Sequence, residues 1–228
     1  MLPGLDGTGD LFEALARSLS DAIEPIICVY PQNPALGYSD LVSIAESFLP
    51  SGSPYVLLGE SFSGPISVEI ASMRPEGLKG LILVNTFLSN PRPLLGKLIS
   101  IAPDIFICKP PRFLLKIVTS ASENGENTVD SLQEVLTRLP PSLVRARLKC
   151  VVEVDVNHLV SEISAPIQII KSTQDWAVPA NSMSLLLKAK LNVSEQELVG
   201  NHFILQCRPN RSAEIIEGFC RELDVNDA

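Results

Sequence analysis

The chain has 228 residues, enough for one large domain or a domain carrying an insertion. With 46% hydrophobic and 19% charged residues it can build a sizeable core, which excludes wholesale disorder. A formal net charge of −8 argues against a nucleic-acid or anionic-membrane surface and is silent on a neutral substrate.

In chain order, residues 2–9 (Leu-Pro-Gly-Leu-Asp-Gly-Thr-Gly) form a glycine-rich loop with almost nothing before it. Asp10 is placed to cap a helix over residues 11–19, whose apolar positions 11, 12, 15 and 19 share a face. Residues 23–30 read as a strand ending at Pro31. A second helix begins at Ser39-Asp40, with Leu41, Ile44, Ala45 and Phe48 as its buried stripe, and stops at Pro50. Residues 55–58 read as a buried strand, 65–73 as a helix and 78–85 as another apolar strand. Near-continuous apolar strands alternating with helices predict a parallel sheet covered on both faces.

After Thr86 the alternation breaks. Residues 91–159 carry helical stretches punctuated by Pro103, Pro110-Pro111 and Pro140-Pro141, with no strand pattern. They read as a helical insertion over the sheet, or alternatively as ordinary helices of one α/β body. Strand–helix order resumes with a strand at 167–171, a helix over 180–191, a short strand at 194–198 and a last helix at 209–223. The apolar run 94–107 is broken by Gly96, Lys97, Pro103 and Asp104 and does not reach membrane-spanning length. Five scattered cysteines (Cys28, Cys108, Cys150, Cys207, Cys220), with no Cys-x-x-Cys and an odd total, fit reduced thiols in a cytosolic protein. In the same setting the sequons at Asn192 and Asn210 are chance matches.

The chemistry is concentrated at Gly59-Glu60-Ser61-Phe62-Ser63-Gly64, a turn between a strand and a helix so short that the Ser61 hydroxyl must project from the strand end. A serine needs a base to take its proton, and the base needs an anion to hold its tautomer. Only two histidines are available. His202 follows a strand, in Val-Gly-Asn-His. His158 lies in a helix-like run of the insertion and reads as a surface or core residue. The acid candidate is Asp175, also just past a strand, with a loop-capping role as its alternative. Active sites of open parallel sheets collect at the carboxyl ends of the strands, so Ser61, Asp175 and His202 are expected on one rim. Oxyanion donors are expected from the Phe62 N–H and, in the glycine-rich loop, the Leu5 N–H. The loop's spacing fits no nucleotide-binding motif, and no Cys/His cluster implies a metal, so no cofactor is expected.

Together the loop at 2–9, the turn at 59–64, Asp175-Trp-Ala-Val-Pro179 and Gly200-Asn-His202 resemble the α/β-hydrolases, in the order Ser…Asp…His. The chain is most similar in pattern to small capped carboxylesterases of the pimeloyl-ACP methyl ester esterase type. The resemblance implies an α/β-hydrolase core over 1–88 and 162–228, a helical cap over 89–161, and serine hydrolysis of carboxylic esters through an acyl-enzyme. The substrate would be a small-molecule or carrier-linked acyl ester. Acyl transfer or thioester hydrolysis by the same residues, and a ligand-binding pseudoenzyme or receptor, are the alternatives. Cap residues such as Leu94, Leu95, Leu98, Ile105 and Phe106 either line an acyl pocket or are simply core.

Two motif positions depart from the family. Ser63 stands where a glycine is common, and Pro3-Gly4 where His-Gly is common; both retain the small or glycine position that packing requires. The larger departure lies before the loop, where relatives place two or three strands and this chain has Met1-Leu2. Either the strands at 23–30 and 55–58 pair directly, or an apolar Val/Ile/Leu run is encoded upstream of Met1. The second is expected, because a missing central strand exposes ladder groups on both neighbours.

Overall fold

A computed structural model describes residues 1–93, 125–189 and 192–226. Its frame is a four-stranded parallel sheet in the order β1 (Tyr55–Glu60), β2 (Leu78–Val84), β3 (Ile167–Ser172) and β4 (Val193–Leu198). Side chains alternate across the strands. Leu57, Leu81, Leu83, Ile167 and Ile169 enter one core, and Leu58, Ile82, Val84 and Ile170 enter a second on the other face. Burial on both faces is why these strands read as unbroken apolar runs.

Helices α1 (Glu13–Ser18), α2 (Tyr38–Glu46) and α3 (Gly64–Ser72) lie in the first half. The α2 and α3 residues Leu41, Ala45, Ile66 and Ile70 pack into the first core, and Leu15 of α1 packs into the second. Gly37 caps α2, its N–H donating to the Asp40 carboxylate at 2.8 Å. Between β2 and β3 the described residues hold no strand. They hold α4 (Gly125–Arg138), α5 (Pro141–Glu153) and a 3-10 turn over Asn157–Glu162. The segment leaves and rejoins the sheet at adjacent points, joined by a bridge between Ser89 and Asp155 and by Val156 N–H donating to the Leu88 carbonyl at 2.8 Å. After β3 come α6 (Ser184–Ala189), β4, the short α7 (Ile204–Cys207) and α8 (Pro209–Asn226), which buries Ala213, Ile216, Phe219 and Leu223 in the second core. The helix expected from residue 180 begins at Ser184, and α7 had no counterpart in the sequence reading.

The segment 23–30 is corrected: it forms no strand. It does not pair with β1 either, because Met1-Leu2 lies between them. Leu2 bridges Gly59 of β1, donating to the Leu58 carbonyl at 2.7 Å and accepting from Glu60 N–H at 3.2 Å. On the other side Cys28 N–H donates to the Met1 carbonyl at 3.0 Å, and the Met1 ammonium donates to the Ile26 carbonyl at 2.6 Å. A cavity of about 420 Å³ adjoins this place, lined by Met1, Ile23, Ile26, Tyr55, Val56 and their neighbours. Burial lowers the pKa of the Met1 ammonium to about 6, against a smaller opposing effect of Cys28.

Candidate active site

All four strands run parallel, so their carboxyl ends share one rim. Ser61 follows β1, Asn85 follows β2, Asp175 lies in the loop after β3 and His202 in the loop after β4. Ser61 has φ +48°, a left-handed conformation that costs a non-glycine residue of order 1–3 kcal/mol and persists only when its surroundings enforce it. Those surroundings can be named. The Ser61 carbonyl accepts a hydrogen bond from the Thr86 hydroxyl. A Cβ on Gly59 would lie 2.2 Å from Ser67 Oγ, and one on Gly64 would lie 1.8 Å from Thr86 Oγ1. Both glycines let the helix close against the strand and fix the turn.

The turn aims Ser61 Oγ at His202 Nε2, 2.8 Å away. The other ring nitrogen, Nδ1, lies 2.8 Å and 3.0 Å from the two carboxylate oxygens of Asp175. Asp175 Oδ1 also accepts the N–H groups of Ala177 and Val178, at 2.8 and 2.9 Å, which orients the carboxylate as well as its own loop. An acceptor carboxylate at Nδ1 fixes the tautomer with hydrogen on Nδ1, leaving Nε2 free to accept from serine. The His202 and Asp175 side chains are only 11% and 7% exposed. His158, in contrast, is exposed in the 3-10 turn over Asn157–Glu162 and takes no part in this chain of bonds.

Sequence reasoning missed the group that holds the histidine loop. Asn85, itself at φ +43°, donates to the His202 carbonyl at 2.8 Å and to Ser172 Oγ at 2.6 Å, and accepts the Ser172 N–H at 2.8 Å. An asparagine closing an otherwise apolar strand was the available signal. Glu60 was also overlooked. It is 5% exposed, and its Oε1 accepts from Gln206 Nε2 at 3.0 Å. Burial raises its pKa from 4.5 to about 7; the Gln206 hydrogen bond opposes this, Asp6 adds to it and His202 opposes it.

Leu5 and Phe62 both reach the cavity that contains Ser61 and His202. Among the described residues the Leu5 N–H finds no backbone carbonyl. Gly4 and Gly7 close a turn in which the Gly4 carbonyl accepts the Gly7 N–H at 3.0 Å. Across a trans peptide the next N–H points the opposite way, so the Leu5 N–H faces out of the turn. Ser63 is fully buried, and its hydroxyl donates to the Pro3 carbonyl. That proton being spent, Tyr30 OH is the donor in its 2.8 Å bond to Ser63 Oγ. The serine at this glycine position therefore links the Ser61 turn to the loop.

Arg147 of α5 completes the loop's support. It is 2% exposed, and its Nη1 donates to the carbonyls of Leu5 at 2.7 Å and Asp6 at 2.6 Å. Its Nη2 reaches the Pro31 carbonyl at 3.3 Å. Burial pulls its pKa down, and Asp6, Tyr30 and Cys150 push it back up. The cavity has a volume of about 290 Å³. Gly4, Leu5, Glu60 and Phe62 lie beside Ser61, while Leu132, Leu136, Leu148 and Val151 come from α4 and α5, and Trp176 and Phe203 flank His202. Leu94, Leu95, Leu98, Ile105 and Phe106 lie outside the described residues.

A doubly covered parallel sheet with a serine turn after one strand and an Asp and a His loop after later ones is the α/β-hydrolase fold, and this chain has it. A lipase-esterase related protein from Clostridium acetobutylicum superposes with a TM-score of 0.78 at 16% identity, over 95% of this chain and 91% of that one. An enol-lactonase from Burkholderia xenovorans gives 0.75 at 13% identity, over 96% and 88%. The esterase EaEST from Exiguobacterium antarcticum gives 0.75 at 13%, over 97% and 90%. No family model matches the chain. Among curated proteins, the polyketide synthase ThaQ of Burkholderia thailandensis is 36% identical over 106 residues, 41% of this chain and 5% of that protein. A RutD protein of Pseudomonas savastanoi, whose name assigns it to carbamate hydrolysis, is 27% identical over 145 residues, 59% of this chain and 55% of that one. Among the described residues no helix is long and apolar enough to cross a membrane.

Proposed function

We propose that the protein is a serine hydrolase of carboxylic esters. The observation that carries this is the unbroken chain from Ser61 Oγ through His202 to Asp175, with Ser61 held in a left-handed turn at the strand end. In this reading His202 Nε2 takes the Ser61 proton as Oγ bonds to the ester carbonyl carbon, and Asp175 stabilises the imidazolium. The N–H groups of Leu5 and Phe62 hold the tetrahedral oxyanion, each worth about 3–4 kcal/mol in such sites. Collapse expels the alcohol, which takes the proton from His202. Water, deprotonated by the same nitrogen, then releases the acid and restores Ser61. Residues 89–161 act as a cap whose α4 and α5 wall the acyl side of the cavity, over a core made of 1–88 and 162–228. The esterases and the lactonase of the same fold, and the relative named for carbamate hydrolysis, support acyl-type hydrolysis in general.

A second reading, transfer or hydrolysis of an acyl group borne on a carrier, is favoured by the local likeness to a polyketide synthase. Fluorophosphonate labelling followed by turnover of p-nitrophenyl esters tests the first reading. Wild type is expected to label and turn over, and Ser61→Ala to do neither. Equal labelling of both proteins, or none in wild type, refutes the assignment of Ser61. A product switch from acid to new ester on adding alcohol moves the assignment to acyl transfer, and labelling without turnover moves it to a binding protein.

A further inference from the structure

We infer that Arg147, contributed by the insertion, is the positioning residue for the oxyanion donor at Leu5; this rests on the ester-hydrolase reading. The loop that carries Leu5 is anchored through its carbonyls. Pro3 accepts from Ser63, Gly4 from Gly7, Leu5 and Asp6 from Arg147, and Gly7 from Tyr30 N–H at 2.8 Å. Of these, only the Arg147 bonds hold the peptide immediately after the Leu5 N–H. One guanidinium nitrogen between two successive carbonyls sets the plane of the Leu5–Asp6 peptide. That in turn limits the rotation of Leu5, whose N–H faces out of the Gly4–Gly7 turn and whose residue lines the cavity with Ser61.

The fit is specific to arginine. Its Cζ lies 5.9 Å from the centre of the Tyr30 ring, a cation–π distance. A Cβ on Gly7, which sits at φ +65°, would lie 2.5 Å from Arg147 Nη1, so the loop gives up a side chain to admit the guanidinium. The Leu5 side chain packs against Leu139, Leu143 and Val144 of the insertion, so backbone and side chain are held by the same element. Charge alone does not explain the placement, since its hydrogen bonds are to carbonyls; the Asp6 carboxylate instead accepts from Thr8 N–H and Oγ1.

The test uses Arg147→Lys and Arg147→Met in the full chain, each checked for folding by circular dichroism. Lysine keeps the charge and one donor nitrogen, but it lacks the second nitrogen that reaches the Pro31 carbonyl and the planar fork that fixes the direction of the first. With a p-nitrophenyl ester, kcat is expected to fall about 10–100-fold in the methionine variant and less in the lysine variant, with KM within about twofold, because a misplaced donor weakens only the transition state. Affinity for a trifluoromethyl ketone, which forms a tetrahedral adduct, is expected to fall in step with kcat/KM. A KM-only effect, or kcat within about twofold of wild type in both variants, overturns the inference. Where the methionine variant does not fold, the lysine variant decides. Amide hydrogen exchange gives a readout independent of activity: in Arg147→Lys the peptide covering residues 1–10 is expected to exchange faster while β1 and α3 are unchanged. Unchanged exchange there overturns the inference, even if wild type proves inactive. Failure of Ser61 to label strikes the ester-hydrolase reading alone.

Discussion

The carboxyl group of Glu60, between β1 and the Ser61 turn, makes stability depend on pH in a predictable direction. It is buried, with its pKa raised from 4.5 to about 7, chiefly by desolvation. In the window between those values the folded state holds a proton that the unfolded state has lost. Stability is therefore fullest below about pH 4.5, falls as pH rises toward 7 and levels off above it. At 1.36 kcal/mol per pKa unit the span amounts to about 3 kcal/mol. For a chain of this length that is on the order of 6 °C in Tm. Glu60→Gln keeps the shape and the acceptor for Gln206 but cannot ionise. The Met1 ammonium contributes the opposite slope, since its pKa lies near 6 in the folded state against 8.0 unfolded, and it does so equally in both proteins. The measurement is thus the difference between Glu60→Gln and wild type, from urea unfolding at pH 4.5, 6 and 8. The variant should gain about 3 kcal/mol relative to wild type from pH 4.5 to 8. A difference that stays flat within about 0.5 kcal/mol would show that Glu60 titrates normally and that the burial argument is wrong.

Asp175→Asn should leave the fold intact, since one amide oxygen still accepts the Ala177 and Val178 N–H groups. It would turn a donor toward His202 Nδ1 and select the wrong tautomer, so kcat is expected to fall about 10³–10⁴-fold in ester hydrolysis. Gly64→Ala meets Thr86 Oγ1 at 1.8 Å; overpacking there should cost about 1–3 kcal/mol in thermal or urea unfolding, outweighing the roughly 1 kcal/mol helix gain of alanine. A neutral or stabilised Gly64→Ala protein would mean that the turn is looser than its contacts imply.

The placement of Ser61, Asp175 and His202 on one rim was legible because each follows the end of a strand, and strand ends are visible where an apolar run gives way to a glycine, proline or polar run. The parallel sheet was legible for a related reason: burial on both faces removes the polar alternation that would otherwise mark a strand. Segment 23–30 has the same apolar texture but no ladder, because a strand is defined by its paired neighbours and apolar texture alone does not supply them. The supporting residues escaped for want of any local pattern. Asn85 reaches a carbonyl 117 positions away and Arg147 one 142 positions away, while Gln206 meets Glu60 across 146. Nothing in the helical pattern of α5 distinguishes an arginine facing inward from one facing solvent. Only Gly7, a glycine in an already glycine-rich loop, hinted that something large needed its space.

Removing Arg147 and removing the carbonyls that it holds are not equivalent perturbations. Loop carbonyls deprived of the guanidinium lie beside a cavity and can turn to water, at the cost of their fixed direction. A guanidinium deprived of those carbonyls stays buried with its charge unsolvated, which costs several kcal/mol. The loop is therefore the more constrained partner in stability and Arg147 the more constrained in function. Substitutions at Gly7, which displace the guanidinium, should unfold the protein more readily than substitutions at Arg147 itself. If the ester-hydrolase reading holds, this asymmetry makes the helical insertion more than a cover over the substrate. On that reading α5 both walls the cavity and sets the direction of one oxyanion donor, so substitutions on α5 that shift the helix should change kcat as well as substrate preference.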